Sequence, residues 1–200
     1  LTVQSSTGTM MERVSSGERI ESADRLLEGG LKAALLAGRR FAADPQDLAT
    51  RTELHWLSAT MFNHCWLSTG GENDWTTHRV EHELGGEYDV IHGEGIAAIL
   101  PSIIRYVAKR KPERYAQLAA RVFDADPYDY TPEQAADLLA DRLEEHFRAL
   151  GLAVSLHELG ISREGIEHVA DVLTHGGATT VGNYSPLTRD DVIAVLELAY

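Results

Sequence analysis

Three histidines, His78, His82 and His92, fall within fifteen residues, and two acids, Glu81 and Asp89, lie among them. His78 and His82 are four apart, so a helix puts both rings on one face. Glu81 falls on the same side of that helix. His92 follows in a turn, between Tyr88-Asp89 and the pair Gly93 and Gly95. Missing side chains at those glycines let a ligand approach closely. Imidazoles from a helix and from the loop after it can cradle a metal or form an acid–base centre. Glu81 and Asp89 are then candidates to accept from the rings' second nitrogens and fix their orientation. Trp75 is placed to shield one side.

The same residues also spell H-x-x-E-H, from His78 to His82, the pattern of inverted zinc peptidases. In that reading His78 and His82 bind zinc, Glu81 activates water, and Glu145 or Glu158 supplies the third ligand. The pattern has only three fixed positions and arises easily by chance in a chain rich in His and Glu. His55 and His64 fall on opposite flanks of one helix and read as ordinary solvated or core-edge residues. His146, His157, His168 and His175 are scattered and receive no role. The acidic run Glu133, Asp137, Asp141, Glu144 and Glu145 reads as a solvated helix face. There is no G-x-S-x-G, no G-x-G-x-x-G and no Walker loop, so no nucleophile elbow or phosphate cradle is present.

Two hundred residues with 44% hydrophobic and 24% charged content suit one ordinary domain with a real core. A net charge of −13 argues against a nucleic-acid partner, because phosphate binding needs a basic face. The one basic cluster, Arg105 to Arg114, reads as the end of a helix. No apolar run approaches the ~18 residues of a membrane span, and no secretory signal is visible. A single cysteine, Cys65, rules out an internal disulfide and fits a reducing, cytoplasmic setting. The sequence opens on Leu1 rather than Met.

The elements that must position the histidines read as helix after helix, with no convincing strand. A short helix is expected over residues 2 to 14, and a second from Ser22 to Ala42 that buries Leu26, Leu27, Leu31, Ala34 and Leu35. A third starts at Asp44-Pro45, with Leu48, Leu54, Leu57, Met61 and Trp66 inward, and stops at Gly70-Gly71. Asp74 caps the histidine helix, which ends at Gly85-Gly86. An apolar helix follows from Ile96 to Val107, with a kink or restart expected at Pro101. Further helices run from Pro112 to Val122, from the Thr131-Pro132-Glu133-Gln134 capping box to Leu150, from Ser162 to Thr174 and from Thr188 to Ala199. The expected fold class is an all-α, multi-helix bundle, with residues 1–200 as a single helical domain.

Asp74-Trp75-x-x-His78-x-x-x-His82-Glu83-Leu84, then Tyr88-Asp89-x-x-His92-Gly93-x-Gly95-x-Ala97 and Leu100-Pro101, resembles the iron-containing (group III metal-dependent) alcohol dehydrogenases. The closest flavour is the butanol dehydrogenase or aldehyde reductase branch. The likeness extends more weakly over nearly the whole chain. It implies the all-α C-terminal domain of the dehydroquinate synthase-like fold, the half that carries the catalytic metal. That metal is Fe(2+), sometimes Zn(2+). His78 and His92 match two of the family's metal ligands. His82 matches the histidine beside substrate and nicotinamide that serves proton transfer. NAD(P) belongs to a separate N-terminal nucleotide-binding domain, which these 200 residues lack. The resemblance implies a small alcohol or aldehyde as substrate, no nucleic acid, no membrane, and leaves room for a homo-oligomer.

The family's other two ligands, an Asp and a His four apart, lie upstream in the pattern D-x-x-x-H-x-x-E. Anchored on Glu12, this sequence puts Ser5 and Thr9 at those places. Neither is a good ligand, and the anionic one is lost. The expectation is therefore a metal-binding-type domain of an NAD(P)-dependent alcohol–aldehyde oxidoreductase that is inactive as an isolated chain. Two other readings stay open: a degenerate structural or interaction module without metal, and the zinc peptidase.

Overall fold

The structure is a computed structural model that describes residues 8–9, 11–14, 19–61 and 73–200. Residues 8–9 and 11–14 are helical. Eight α-helices follow: α1 (Glu21–Ala43), α2 (Leu48–Met61), α3 (Thr76–Tyr88), α4 (His92–Ala108), α5 (Glu113–Val122), α6 (Pro132–Ala149), α7 (Ile166–Thr174) and α8 (Arg189–Leu198). Among the described residues one 3-10 turn, Arg163–Gly165, leads into α7. Among the described residues the only β pairing is one antiparallel bridge, Val181 to Leu187. The fold is all-α.

The apolar helix α4 lies at the centre. Ile96, Ile99 and Ile104 have no exposed surface, and Leu100, Ile103 and Val107 are nearly as buried. It packs against α3, α6 and α8, while α6 also packs on α5 and α1 on both α2 and α5. Pro101 does not restart the helix, which is unbroken from His92 to Ala108. The proline costs one backbone N–H, and burial on every side holds the rod together.

Several helix boundaries move from their expected places. Asp44 accepts from the amide of Gln46 at 3.0 Å and makes a turn, whereas Asp47 caps α2 through the amides of Ala49 and Thr50 at 3.1 and 3.2 Å. This later start leaves Leu48 exposed, while Leu54 and Leu57 are buried as expected. Leu26 on α1 is also exposed, whereas Leu27, Leu31, Ala34 and Leu35 form the inward stripe. His64, Cys65, Trp66 and the Gly70-Gly71 stop lie outside the described residues. Thr131 and Gln134 make the expected capping box at α6, and Thr188 with Asp191 makes a second at α8.

The basic cluster is consumed internally. Arg105 meets Asp141 at 2.6 Å and Glu144 at 2.5 Å, so part of the acidic face on α6 is paired rather than merely solvated. Arg110 pairs with Asp191. Arg114 binds both oxygens of Asp24, at 2.7 and 2.8 Å, and donates from Nε to the carbonyl of Val14 at 2.7 Å. Gln117 adds bonds to Asp24 and Glu28. This buried network ties α5 to α1 and to the helical residues 11–14, which carry Glu12.

Candidate functional site

The site sits where α3 turns into α4. Asp74 was expected to cap α3 but does something else. Its Oδ1 accepts from the backbone amides of Asn183 and Tyr184, both at 2.7 Å. The N-cap is Trp75, in the left-handed region at φ 58°. Across from it, Gly182 has φ +90°, and a Cβ there would lie 2.0 Å from Thr76 Oγ1, so only glycine fits. The start of the histidine helix is thus clamped to the loop before α8. At its other end α3 runs through Gly85-Gly86 to Tyr88, and Asp89 at φ 54° stops it. His92, expected in a turn, is the first residue of α4.

This arrangement brings all three predicted histidines together. Ring centroids lie 6.2 Å apart for His78 and His82, and 5.4 Å apart for both His78–His92 and His82–His92. Trp75 packs edge-on against His78 at 5.0 Å, as a wall on that side. His78 is buried, His92 is partly exposed and His82 is exposed.

Each ring's partners fix which nitrogen is available. His78 Nδ1 contacts Glu12 Oε2, so this nitrogen carries the proton and donates. The other Glu12 oxygen accepts from the amide of Thr77. His78 Nε2 is then an acceptor, and Thr9 Oγ1 donates to it at 3.2 Å. The lone pair that a metal would need is spent on Thr9. His92 differs. Its Nδ1 donates to Glu81 Oε2, and its Nε2 has no hydrogen-bond partner among the described residues. Glu81 is 1% exposed and lies between α3 and α4. Gly95 makes room for it, since a Cβ there would come within 2.7 Å of Glu81 Cγ. Of the two acids nominated to orient the rings, Glu81 does so and Asp89 is an exposed helix terminator.

The family's iron does not fit the His78 side of this site. Iron(II) sites built on imidazoles commonly add a carboxylate, as in the two-histidine, one-carboxylate triad. Here His78 is saturated by Glu12 and Thr9, and Ser5 lies outside the described residues. The peptidase assignment also loses its parts. Glu145 pairs with Arg142 at 2.8 Å. Glu158 caps the amide of Val154 at 2.9 Å and pairs with Arg148 at 3.1 Å. Glu81 is held by His92 rather than poised over a zinc between His78 and His82.

Thr9, which the resemblance puts at the place of a ligand histidine, meets His78 across 69 positions. One residue had no role from sequence alone. His146 on α6 is 1% exposed, and neither ring nitrogen has a hydrogen-bond partner among the described residues. Burial pushes its pKa down to about 4.

Comparison with known proteins gives the family. Residues 10–200 match the profile described as "Fe-containing alcohol dehydrogenase family, C-terminal". A probable NADH-dependent butanol dehydrogenase of Bacillus subtilis is 29% identical over 174 residues, covering 87% of this chain and 44% of that protein. A maleylacetate reductase of Burkholderia cepacia is 32% identical over 178 residues, 88% of this chain and 44% of its own length. The crystal structure of NADH-dependent butanol dehydrogenase A from Thermotoga maritima superposes with a TM-score of 0.90 at 24% identity, over 98% of this chain and 50% of that one. The chain spans about half the length of the curated relatives it matches.

Proposed function

This chain belongs to the Fe-containing alcohol dehydrogenase family, and on that premise we propose that it is the helical, substrate-side half of an NAD(P)-dependent alcohol–aldehyde oxidoreductase. The chain corresponds to the C-terminal half of such enzymes. Its relatives are described as NADH-dependent butanol dehydrogenases and, in Escherichia coli, as an NADPH-dependent aldehyde reductase. The nicotinamide would come from a nucleotide-binding half outside these 200 residues. The observation that carries the reading is the triple-histidine cluster at the α3–α4 junction, with His82 at its exposed edge.

Within that reaction hydride moves from the reduced nicotinamide to the carbonyl carbon of an aldehyde, and a proton goes to the oxygen. His82 is the proton carrier: it is exposed, carries no hydrogen bond among the described residues and neighbours both other rings. Trp75 and the buried His78 wall off one side from water. Glu81 holds His92 in one orientation. In the family an iron would polarise the oxygen. The Thr9–His78 bond leaves His92, and not His78, with a nitrogen for such a role.

The test joins the chain to the nucleotide-binding half of its Bacillus subtilis relative and follows NADH oxidation with butanal. The isolated chain should be inactive. The fusion should turn over, and His82→Asn should lower kcat on the order of 10²-fold, the scale of general acid catalysis. A folded fusion that binds NADH but leaves butanal untouched would overturn the reading. The Thr9–His78 bond also favours a second reading, a family member kept as a structural module, and that same inactive fusion would support it.

A further inference from the structure

Arg105, Arg110, Arg114 and Arg121 are each bound to carboxylates within the fold. Arg79 differs: it is exposed and makes no ion pair and no side-chain hydrogen bond among the described residues. It is also the only Lys or Arg from Asp74 to Ile104, the stretch that builds most of the histidine site. We propose that Arg79 docks a carboxylate of the substrate, so that the site takes an aldehyde with a carboxylate at its far end, a short ω-oxo acid. The inference rests on the oxidoreductase reading for its chemistry and names the substrate class of that same site.

Trp75, Arg79 and His82 are spaced i, i+4 and i+7, so they share one stripe of α3. The amide of Arg79 donates to the carbonyl of Trp75 at 2.9 Å and closes the turn between them. Arg79 and His82 stand one turn apart, with Cβ atoms about 5–6 Å from each other. Both are exposed. A carbonyl held at His82 therefore leaves the far end of a short carbon chain within reach of the guanidinium. The bond changes stay at the carbonyl: hydride from the nicotinamide adds to carbon, a proton adds to oxygen, and the carboxylate is unaltered. The planar fork of Arg79 matches the two carboxylate oxygens. The surrounding charge selects a monoanion. Six acids share the stretch, Asp74, Glu81, Glu83, Glu87, Asp89 and Glu94. Asp74 is taken by the amides of Asn183 and Tyr184, and Glu81 by His92. Glu83, one turn beyond Arg79, is only partly exposed and forms no bond with it. One cation among such neighbours balances a carboxylate better than a phosphate, whose charge approaches about −2. A net charge of −13 repels anions from the rest of the surface, so docking is local to Arg79.

The experiment has two arms. In the first, the 200-residue chain is titrated at low salt with 4-hydroxybutanoate and with 1-butanol, which differ only in a carboxylate for a methyl group, and the His82 ring signals are followed by NMR. The hydroxy acid should bind tighter on the order of 10-fold, the scale of a charge-assisted hydrogen bond at an exposed position. Arg79→Met should remove that advantage, and Arg79→Lys should keep part of it, as a charge without the fork. In the second arm, the fusion with the nucleotide-binding half is assayed with 4-oxobutanoate and butanal. Arg79→Met should lower the ratio of their kcat/KM values on the order of 10-fold. Equal binding of the two alcohols, an advantage that persists in Arg79→Met, or inorganic phosphate binding as tightly as the hydroxy acid would overturn the inference. So would an unchanged kcat/KM ratio. A fusion inactive on both aldehydes, with the hydroxy acid still docked through Arg79, would overturn the oxidoreductase reading and uphold the carboxylate site.

Discussion

His146 gives the sharpest energetic test of the fold. Its ring lies between α6 and its neighbours, 1% exposed, with Phe147 beside it and both nitrogens without a hydrogen-bond partner among the described residues. Burial lowers its pKa from 6.5 to about 4, and the nearby Arg39 acts in the same direction. Above pH 6.5 the ring is neutral in both the folded and unfolded chain and contributes no pH dependence. Below 6.5 the unfolded chain takes up a proton that the folded chain refuses, so stability falls until pH reaches about 4. The full effect is about 3 kcal/mol, and between pH 7 and pH 5 it is about 2 kcal/mol. His146→Leu removes the ring. It should abolish that slope, and at pH 7 it should also stabilise by about 1–3 kcal/mol, because a buried N–H no longer goes unpaired. The assay is urea unfolding of both proteins at several pH values. Subtracting one curve from the other cancels every other titrating group. Parallel pH profiles for wild type and His146→Leu would refute the reasoning, as would a His146 ring that titrates near 6.5 by NMR.

Other outcomes follow from particular contacts. Gly95→Ala drives a methyl to within 2.7 Å of Glu81 Cγ and should cost about 1–3 kcal/mol while releasing His92, measured by thermal melting and by the His92 ring signals. A melting temperature within error of wild type would show that Glu81 has room to spare. Asp24→Ala leaves Arg114 buried and uncompensated, and should cost about 3–5 kcal/mol in chemical unfolding; a loss under 1 kcal/mol would mean water reaches the pair. Thr131→Ala deletes the α6 capping box and should cost about 1 kcal/mol in urea unfolding.

Sequence order exposes local features well. The capping box at Thr131, the Pro112 start, the inward stripe on α1 and the all-helical class all rest on neighbours within four residues. The three histidines come together because helical spacing and one tight turn suffice. What sequence order hides is long-range. Thr9 faces His78 and Glu12 orients it across more than sixty residues. Asp74 has the composition of a cap, yet two amides 109 and 110 positions away claim it. Leu26 and Leu48 have core-type side chains, and only the packing of α1 and α2 leaves them outside. His146 looks like any scattered histidine until the bundle closes around it.

The Asp74 clamp bears on when the site can form. The residues of α3 are contiguous, but among the described residues the carboxylate that fixes its first turn accepts only from the amides of Asn183 and Tyr184. Closing so long a loop is slow and entropically costly. A growing chain that has not yet reached residue 184 therefore holds all three histidines without the frame that aligns them. Stopping the chain short of Asn183 would deprive the histidine helix of its anchor while leaving every histidine of the cluster in the polypeptide.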